Sequence, residues 1–320
     1  MTPSLNRTEV EPAGLRALAP LLALLRERHG DAVVAILLYG SCLRSGDFHD
    51  GLVDLYVIVA GYRHSGQSAG RTLGNWLLPP NVYYAEVSDG DRSLRSKYAL
   101  ISRADFQRGL SARSFESYFW GRFCQPVALV YAREQECPGN GAPKYGDLLR
   151  ADQELAATTL LSRALPLLPP TGLLSELWQQ SLALSYGTEL RAEQGGRPRE
   201  LAIWGESFYR DLSQRIAARL PHGFRLVERA DGLGYAATIP SGARLRARIA
   251  WRLRALHGKV HSLLRLTKAL FTFAGGLDYL AWKLARHSGQ PVLIPDKVRR
   301  HPLVYGWAFF WRLHRRGLFK

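Results

Sequence analysis

The chain has 320 residues, of which 47% are hydrophobic and 22% charged, enough to bury a core and form two domains, so a disordered polyelectrolyte is excluded. Its formal charge of +16 is lopsided: residues 241–320 hold 17 Lys and Arg against two acids, Asp278 and Asp296, while the rest of the chain is nearly neutral. The first thirty residues, with Glu9, Glu11, Pro20 and Glu27, do not read as a secretory signal. No apolar run reaches the roughly 20 residues that span a bilayer, so the expectation is a cytoplasmic protein, soluble or peripheral on the inner face of a membrane.

In chain order, residues 15–28 are predicted to form an amphipathic helix with Leu18, Leu21, Leu22 and Leu25 on one face. Two apolar runs, 33–39 and 52–59, read as core strands, separated by Gly40-Ser41 and Cys42. Residues 61–80 are Gly/Ser-rich and end in Pro79-Pro80, and are expected to be a loop. Strand composition returns at 81–87 and 98–101, helix-like sequence at 106–119, and a further strand at 127–131. The stretch 137–144, with Cys137, Pro138 and two glycines, is the expected domain boundary.

Beyond it, 147–165, 173–192 and 201–218 read as helices, and 232–239 as a small hairpin. The clearest periodicity lies in 243–264, where Leu245, Ile249, Leu253, Leu256, Val260 and Leu263 recur in steps of three and four, with Arg244, Arg248, Arg252 and Lys259 expected to keep the opposite face basic. Such a row predicts a helix with one apolar side. Three cysteines without ligand spacing point to reduced, inert thiols, and nine histidines show no zinc pattern.

The fold class expected is α+β (mixed α/β): a domain with a central mixed sheet over 1–140, a mostly helical domain over 145–275, and a basic, aromatic tail over 276–320. The tail interleaves Arg299, Arg300, Arg312, Arg315 and Arg316 with Trp307 and Trp311. Basic flanks around a short Trp/Phe-rich stretch suit an anionic lipid headgroup layer, which makes these seven the candidate membrane-binding residues.

The chemistry-bearing pattern is Gly40-Ser41 after one buried strand and Asp54 near the start of the next. Glycine lets backbone close on phosphate oxygens, serine adds a hydroxyl and an amide, and a carboxylate on a rigid strand can fix the magnesium that a triphosphate carries. This is the way nucleotidyltransferases hold a nucleoside triphosphate. A plain turn and a structural aspartate are the bland alternatives.

With these pieces placed, the chain resembles the mitochondrial-type phosphatidate cytidylyltransferases. Tyr39-Gly40-Ser41 with Leu52-Val53-Asp54-Leu55 is similar to that family's Tyr-Gly-Ser and Asp strand, and Asn81-Val82-Tyr83-Tyr84 and Lys97-Tyr98-Ala99-Leu100-Ile101 match its next two blocks. Tyr118 to Val127, carrying Gly121-Arg122, is similar to its Gly-Arg block. Leu184-Ser185-Tyr186 with Arg191 resembles a Leu-Ser-Tyr-Ser-Gly-Asp-Phe-Arg block, with Glu189 at the Asp position, and Lys268 to Gly275 is a weaker sixth match. Cys42 replaces a glycine, the family's histidine-containing segment has no equivalent in 61–80, and the paired carboxylate is missing because Leu52 and Tyr56 flank Asp54.

The resemblance implies a magnesium-dependent transfer of CMP from CTP to phosphatidic acid, giving CDP-diacylglycerol and pyrophosphate, with anionic membrane lipids as partners and no stable nucleic-acid partner. It implies catalytic roles for Asp54, Lys97 and Arg122, and nucleotide binding by Gly40, Ser41, Lys97 and Arg191, the last oriented by Glu189 or Ser185. It also implies a metal held by Asp54, with Glu86 as candidate second ligand. Two alternatives stay open: a nucleotidyltransferase acting on RNA or another acceptor, and an inactive descendant that binds an anionic surface.

Overall fold

The computed structural model describes residues 10–49, 51–90, 92–133, 144–190, 196–272 and 293–300, together with Tyr305, Ala308, Phe309, Trp311, Arg312 and Arg315. Helix α1 (Pro12–His29) carries a proline in its first turn, where the missing amide donor is not needed, and buries Leu18, Leu21 and Leu25 completely. It leads into β1 (Val33–Tyr39), α2 (Ser41–Ser45), β2 (Val53–Val59), α3 (Ala69–Leu77), β3 (Asn81–Asp89) and β4 (Arg92–Ser102). Then come α4 (Arg103–Leu110), α5 (Trp120–Phe123) and β5 (Ala128–Ala132).

The five strands form one sheet in the order β3-β4-β2-β1-β5. β2 and β4 are parallel and the other neighbours antiparallel, so the sheet is mixed. Side chains alternate between its two faces. Ile36, Leu38, Leu55, Val57 and Leu100 pack with the leucines of α1. Leu37, Tyr56, Ile58, Ala99 and Ile101 face the other way, onto Phe106, Trp120 and Phe123 of α4 and α5.

The second half is mostly helical: α6 (Tyr145–Ala164), α7 (Leu174–Tyr186), α8 (Arg197–Trp204) and α9 (Glu206–Ile216), with a small antiparallel sheet of β6 (Thr171–Leu173), β8 (Gly232–Ala236) and β7 (Arg225–Arg229). Leu160, Leu161, Trp178, Leu182 and Leu212 of these helices belong to the same apolar cluster as the second sheet face. The interior is therefore continuous across the two halves, while the boundary segment itself, up to residue 143, lies outside the described residues. The architecture is α+β, a central mixed sheet followed by a mostly helical part.

Several elements differ from expectation. Residues 61–80 contain a helix, α3, tied to the sheet by a buried polar residue: Asn75 donates to the Leu100 carbonyl at 3.0 Å and accepts from the Asn81 amide at 2.9 Å. Anchoring through an asparagine leaves no apolar period to read. β4 runs eleven residues because its polar first half pairs with β3. The helix expected over 106–119 ends at Leu110.

The helix expected over 243–264 is present as the longer α10 (Ser241–Thr272). Its apolar row points away from the body: Leu245, Ile249, Leu253, Leu256, Val260 and Leu263 are 48 to 65% exposed. The body-facing side carries Ala243, Trp251, Arg254 and Gly258, all buried. Gly258 is required there, because a Cβ would lie 2.4 Å from the Thr188 carbonyl oxygen. α11 (Asp296–Arg300) follows in the described tail. Among the described residues, no helix is long and apolar enough to cross a membrane.

Candidate active site

The period-two alternation that puts Tyr56 and Ile58 on the helix-covered face of the sheet also puts Asp54 there, one step nearer the strand start. Register then assembles its neighbours. Asp54 stands opposite Tyr39 on β1 and opposite Lys97 on β4, and Lys97 leads into Ala99 and Ile101 on the same face. The apolar core thus gives way to a carboxylate and an ammonium at one end of the sheet.

Gly40 follows Tyr39 with φ of +87°, a conformation that side-chain-bearing residues rarely adopt. A Cβ on it would fall 2.6 Å from Asp54 Oδ2, so the carboxylate lies directly over bare backbone. Its other oxygen, Oδ1, is 3.1 Å from Lys97 Nζ. That carboxylate pushes the Lys97 pKa above its usual range, against the opposing effect of burial, and Lys97 stays an ammonium.

Arg122 enters from α5. Its Nη2 is 2.5 Å from Glu189 Oε2, its guanidinium lies 3.8 Å from the Tyr118 ring centroid, and Nη1 is buried without a hydrogen-bond partner among the described residues. Burial works against its charge, but Glu189, followed by the nearby tyrosines, raises its pKa, so the group is a permanent cation. The α5 position depends on close packing with α7: a Cβ at Gly121 would come within 1.8 Å of Ser185 Oγ. Arg265 of α10 also stacks on Tyr118, 4.0 Å from its centroid, and pairs bidentately with Glu116.

One cleft is lined by Gly40, Ser41, Asp54, Lys97 and Arg122 on the sheet side, and by Tyr186, Arg197, Leu201 and Trp204 on the α7–α8 side, with Arg44 of α2 between them. Four cations and one lining carboxylate give the lining a positive balance, which Glu189 offsets at Arg122. Arg197 is partly neutralised by Glu200 at 2.7 Å.

As a metal site, the donor set is sparse. Among the described residues no group of three His, Cys, Asp or Glu side chains converges. A lone carboxylate fits a magnesium that brings phosphate and water ligands with it, and does not fit an all-protein cage. Asp54, standing over the Gly40 backbone, is the residue that would hold it, with the Ser41 hydroxyl in the same cleft.

Five residues expected from the sequence, Gly40, Ser41, Asp54, Lys97 and Arg122, line this cleft together. Glu86 does not line it. It sits on β3, bound by Arg95 at 3.0 Å and by the Tyr84 hydroxyl at 2.7 Å, with β4 between it and Asp54's strand. Register explains this: Glu86 faces Arg95, two residues short of the Lys97 that faces Asp54. Arg191 lies outside the described residues, and Glu189 pairs with Arg122. In the tail, Arg299 and Arg300 end α11, and Trp311, Arg312 and Arg315 are exposed, while Trp307 and Arg316 lie outside the described residues. Arg44, Arg197 and Trp204 escaped sequence reading, since a single Arg or Trp on a short helix has no local signature.

No protein-family model matches the chain, and no curated protein matches its sequence. Among solved structures, a nucleotidyltransferase-like protein from Exiguobacterium sibiricum 255-15 is similar over 70% of this chain and 99% of that chain, at 11% identity and a TM-score of 0.25. An overlap that low carries no argument about this chain.

Proposed function

We propose that the chain is a nucleotidyltransferase that moves CMP from CTP to phosphatidic acid, releasing pyrophosphate and forming CDP-diacylglycerol. The observation that carries the reading is the placement of Asp54 between the Gly40-Ser41 turn and the fixed cations Lys97 and Arg122 in one cleft. The base and the acceptor are those that the resemblance of the six sequence blocks implies. The acceptor being a lipid, the enzyme works peripherally on the inner face of a membrane.

In this reaction an oxygen of the acceptor phosphate bonds to the α-phosphorus of the nucleotide, and the bond from that phosphorus to the bridging oxygen breaks, expelling pyrophosphate. The nucleophile is already an anion, so the barrier is the approach of two polyanions rather than a proton transfer. Lys97 and Arg122 hold fixed positive charge where the phosphates meet, and Gly40 and Ser41 offer backbone and hydroxyl donors without side-chain obstruction. Asp54 would hold a magnesium ion, which would supply further neutralisation of the transferring and leaving groups.

The test offers each nucleoside triphosphate with magnesium, with and without phosphatidate vesicles, and measures pyrophosphate. Release limited to CTP and vesicles supports the reading, while release that requires RNA moves the acceptor to nucleic acid. Asp54→Asn is expected to keep its circular dichroism spectrum and lose at least about a thousandfold in rate. Undiminished turnover in that variant refutes the assignment.

A further inference from the structure

We infer that the outward face of α10 is a docking surface for an anionic phospholipid bilayer. The inference is independent of the chemistry assigned to the cleft and concerns residues other than the aromatic tail.

Three observations carry it. First, the exposed row from Leu245 to Leu263 is continuous along one side of the helix, spans about 27 Å at 1.5 Å per residue, and is joined by exposed Leu264. Second, α10 cannot turn to bury that row without breaking what holds its other side. Trp251 Nε1 donates to the Arg163 carbonyl at 2.9 Å, Arg254 Nε to the Phe115 carbonyl at 2.7 Å, and Arg265 is locked to Glu116. Lys268 donates to three carbonyls, those of Gly74, Leu78 and Pro80, at the end of α3. The polar contacts face the protein and the leucines face outward, the reverse of an ordinary surface helix.

Third, the charge beside the row has one sign. Arg246, Arg248, Arg252 and Lys259 are exposed along the helix, and residues 241–272 contain no acid. Pairing this row with the same row of a second copy would set these cations against one another with no carboxylate in either helix to offset them. A bilayer bearing anionic headgroups meets both demands: phosphates take the arginines and lysine, and the apolar row enters the headgroup–acyl boundary. Arg248 and Arg252 also stand at the edge of a shallow, mostly apolar groove that includes Leu167, Leu184 and Trp251 and extends the contact beside the helix.

Full-length protein is mixed with phosphatidylcholine vesicles, or with vesicles containing one-third phosphatidylglycerol, and pelleted at two salt concentrations. Association with the anionic vesicles only, weakened by salt, is expected. Leu253→Gln with Leu256→Gln, both outside the core, is expected to reduce the bound-to-free ratio roughly tenfold while the thermal unfolding midpoint stays unchanged. Arg248→Gln with Arg252→Gln is expected to reduce it on anionic vesicles and to weaken its salt dependence. The inference is overturned if wild-type protein stays in the supernatant, or if the leucine variant sediments like wild type. It is equally overturned if light scattering shows a wild-type dimer that the leucine variant dissolves. Loss of vesicle binding would leave CTP binding in the cleft untouched, so the two readings fail separately.

Discussion

Replacing Glu189 by glutamine removes the carboxylate that neutralises Arg122 and leaves the shape intact. The pair sits at 2.5 Å with side chains 20% and 6% exposed, and the second guanidinium nitrogen has no hydrogen-bond partner among the described residues. Two unit charges about 4 Å apart at an effective dielectric near 20 attract by about 4 kcal/mol, and stripping one partner from a buried pair typically destabilises by about 3–5 kcal/mol. Arg122 also shares its cleft with Lys97, Arg44 and Arg197, and the carboxylate that lines it, Asp54, is already paired with Lys97 at 3.1 Å. Glu189→Gln is therefore expected to lower stability by about 3 kcal/mol, read as a drop of several degrees in unfolding temperature by calorimetry. A polyanion in the cleft supplies the missing negative charge. Tripolyphosphate should then raise the unfolding temperature of the variant by more than it raises that of wild type, against a baseline gain of about 2.7 kcal/mol at a hundredfold excess over Kd. A variant as stable as wild type, or one that gains no more from the anion, would refute the view that Arg122 is a charged group held ready for phosphate.

Gly40→Ala forces a Cβ against Asp54 Oδ2 at positive φ and should destabilise by about 1–3 kcal/mol while abolishing nucleotide binding, measured by thermal shift and titration calorimetry. Gly121→Ala pushes α5 away from Ser185 and should destabilise by a similar amount, about 1–3 kcal/mol; Ser185→Ala in the same chain should recover part of it in denaturant titrations. His29 is buried, with Nδ1 2.6 Å from the Ser65 carbonyl and Nε2 3.1 Å from the Tyr98 hydroxyl, and burial chiefly lowers its pKa. Since the unfolded chain then binds the proton more tightly, stability holds above about pH 6.5 and falls as pH drops through the lowered folded value. His29→Gln should flatten that decline between pH 7.5 and 5, and an unchanged slope in the variant would refute it.

Local chemistry determined the parts of the molecule that repeat or punctuate. The apolar runs at 33–39 and 52–59 read as core strands and form β1 and β2, the leucines of α1 form a buried stripe, and Gly40-Ser41 before Asp54 marked a candidate phosphate site. Tertiary structure decided everything that depends on who faces whom. Register placed Lys97 beside Asp54 and set Glu86 against Arg95, because a strand's sequence states which face a residue takes but not which residue lies opposite. The chain path brought Glu189 to Arg122 across 67 residues, and Arg44, Arg197 and Trp204 to the same cleft, with no periodicity to announce them. In α10 the leucine period was legible and its direction was not. An apolar stripe specifies a helix with one water-avoiding side, but the buried arginine, lysine and tryptophan contacts with the body decided that this side turns outward.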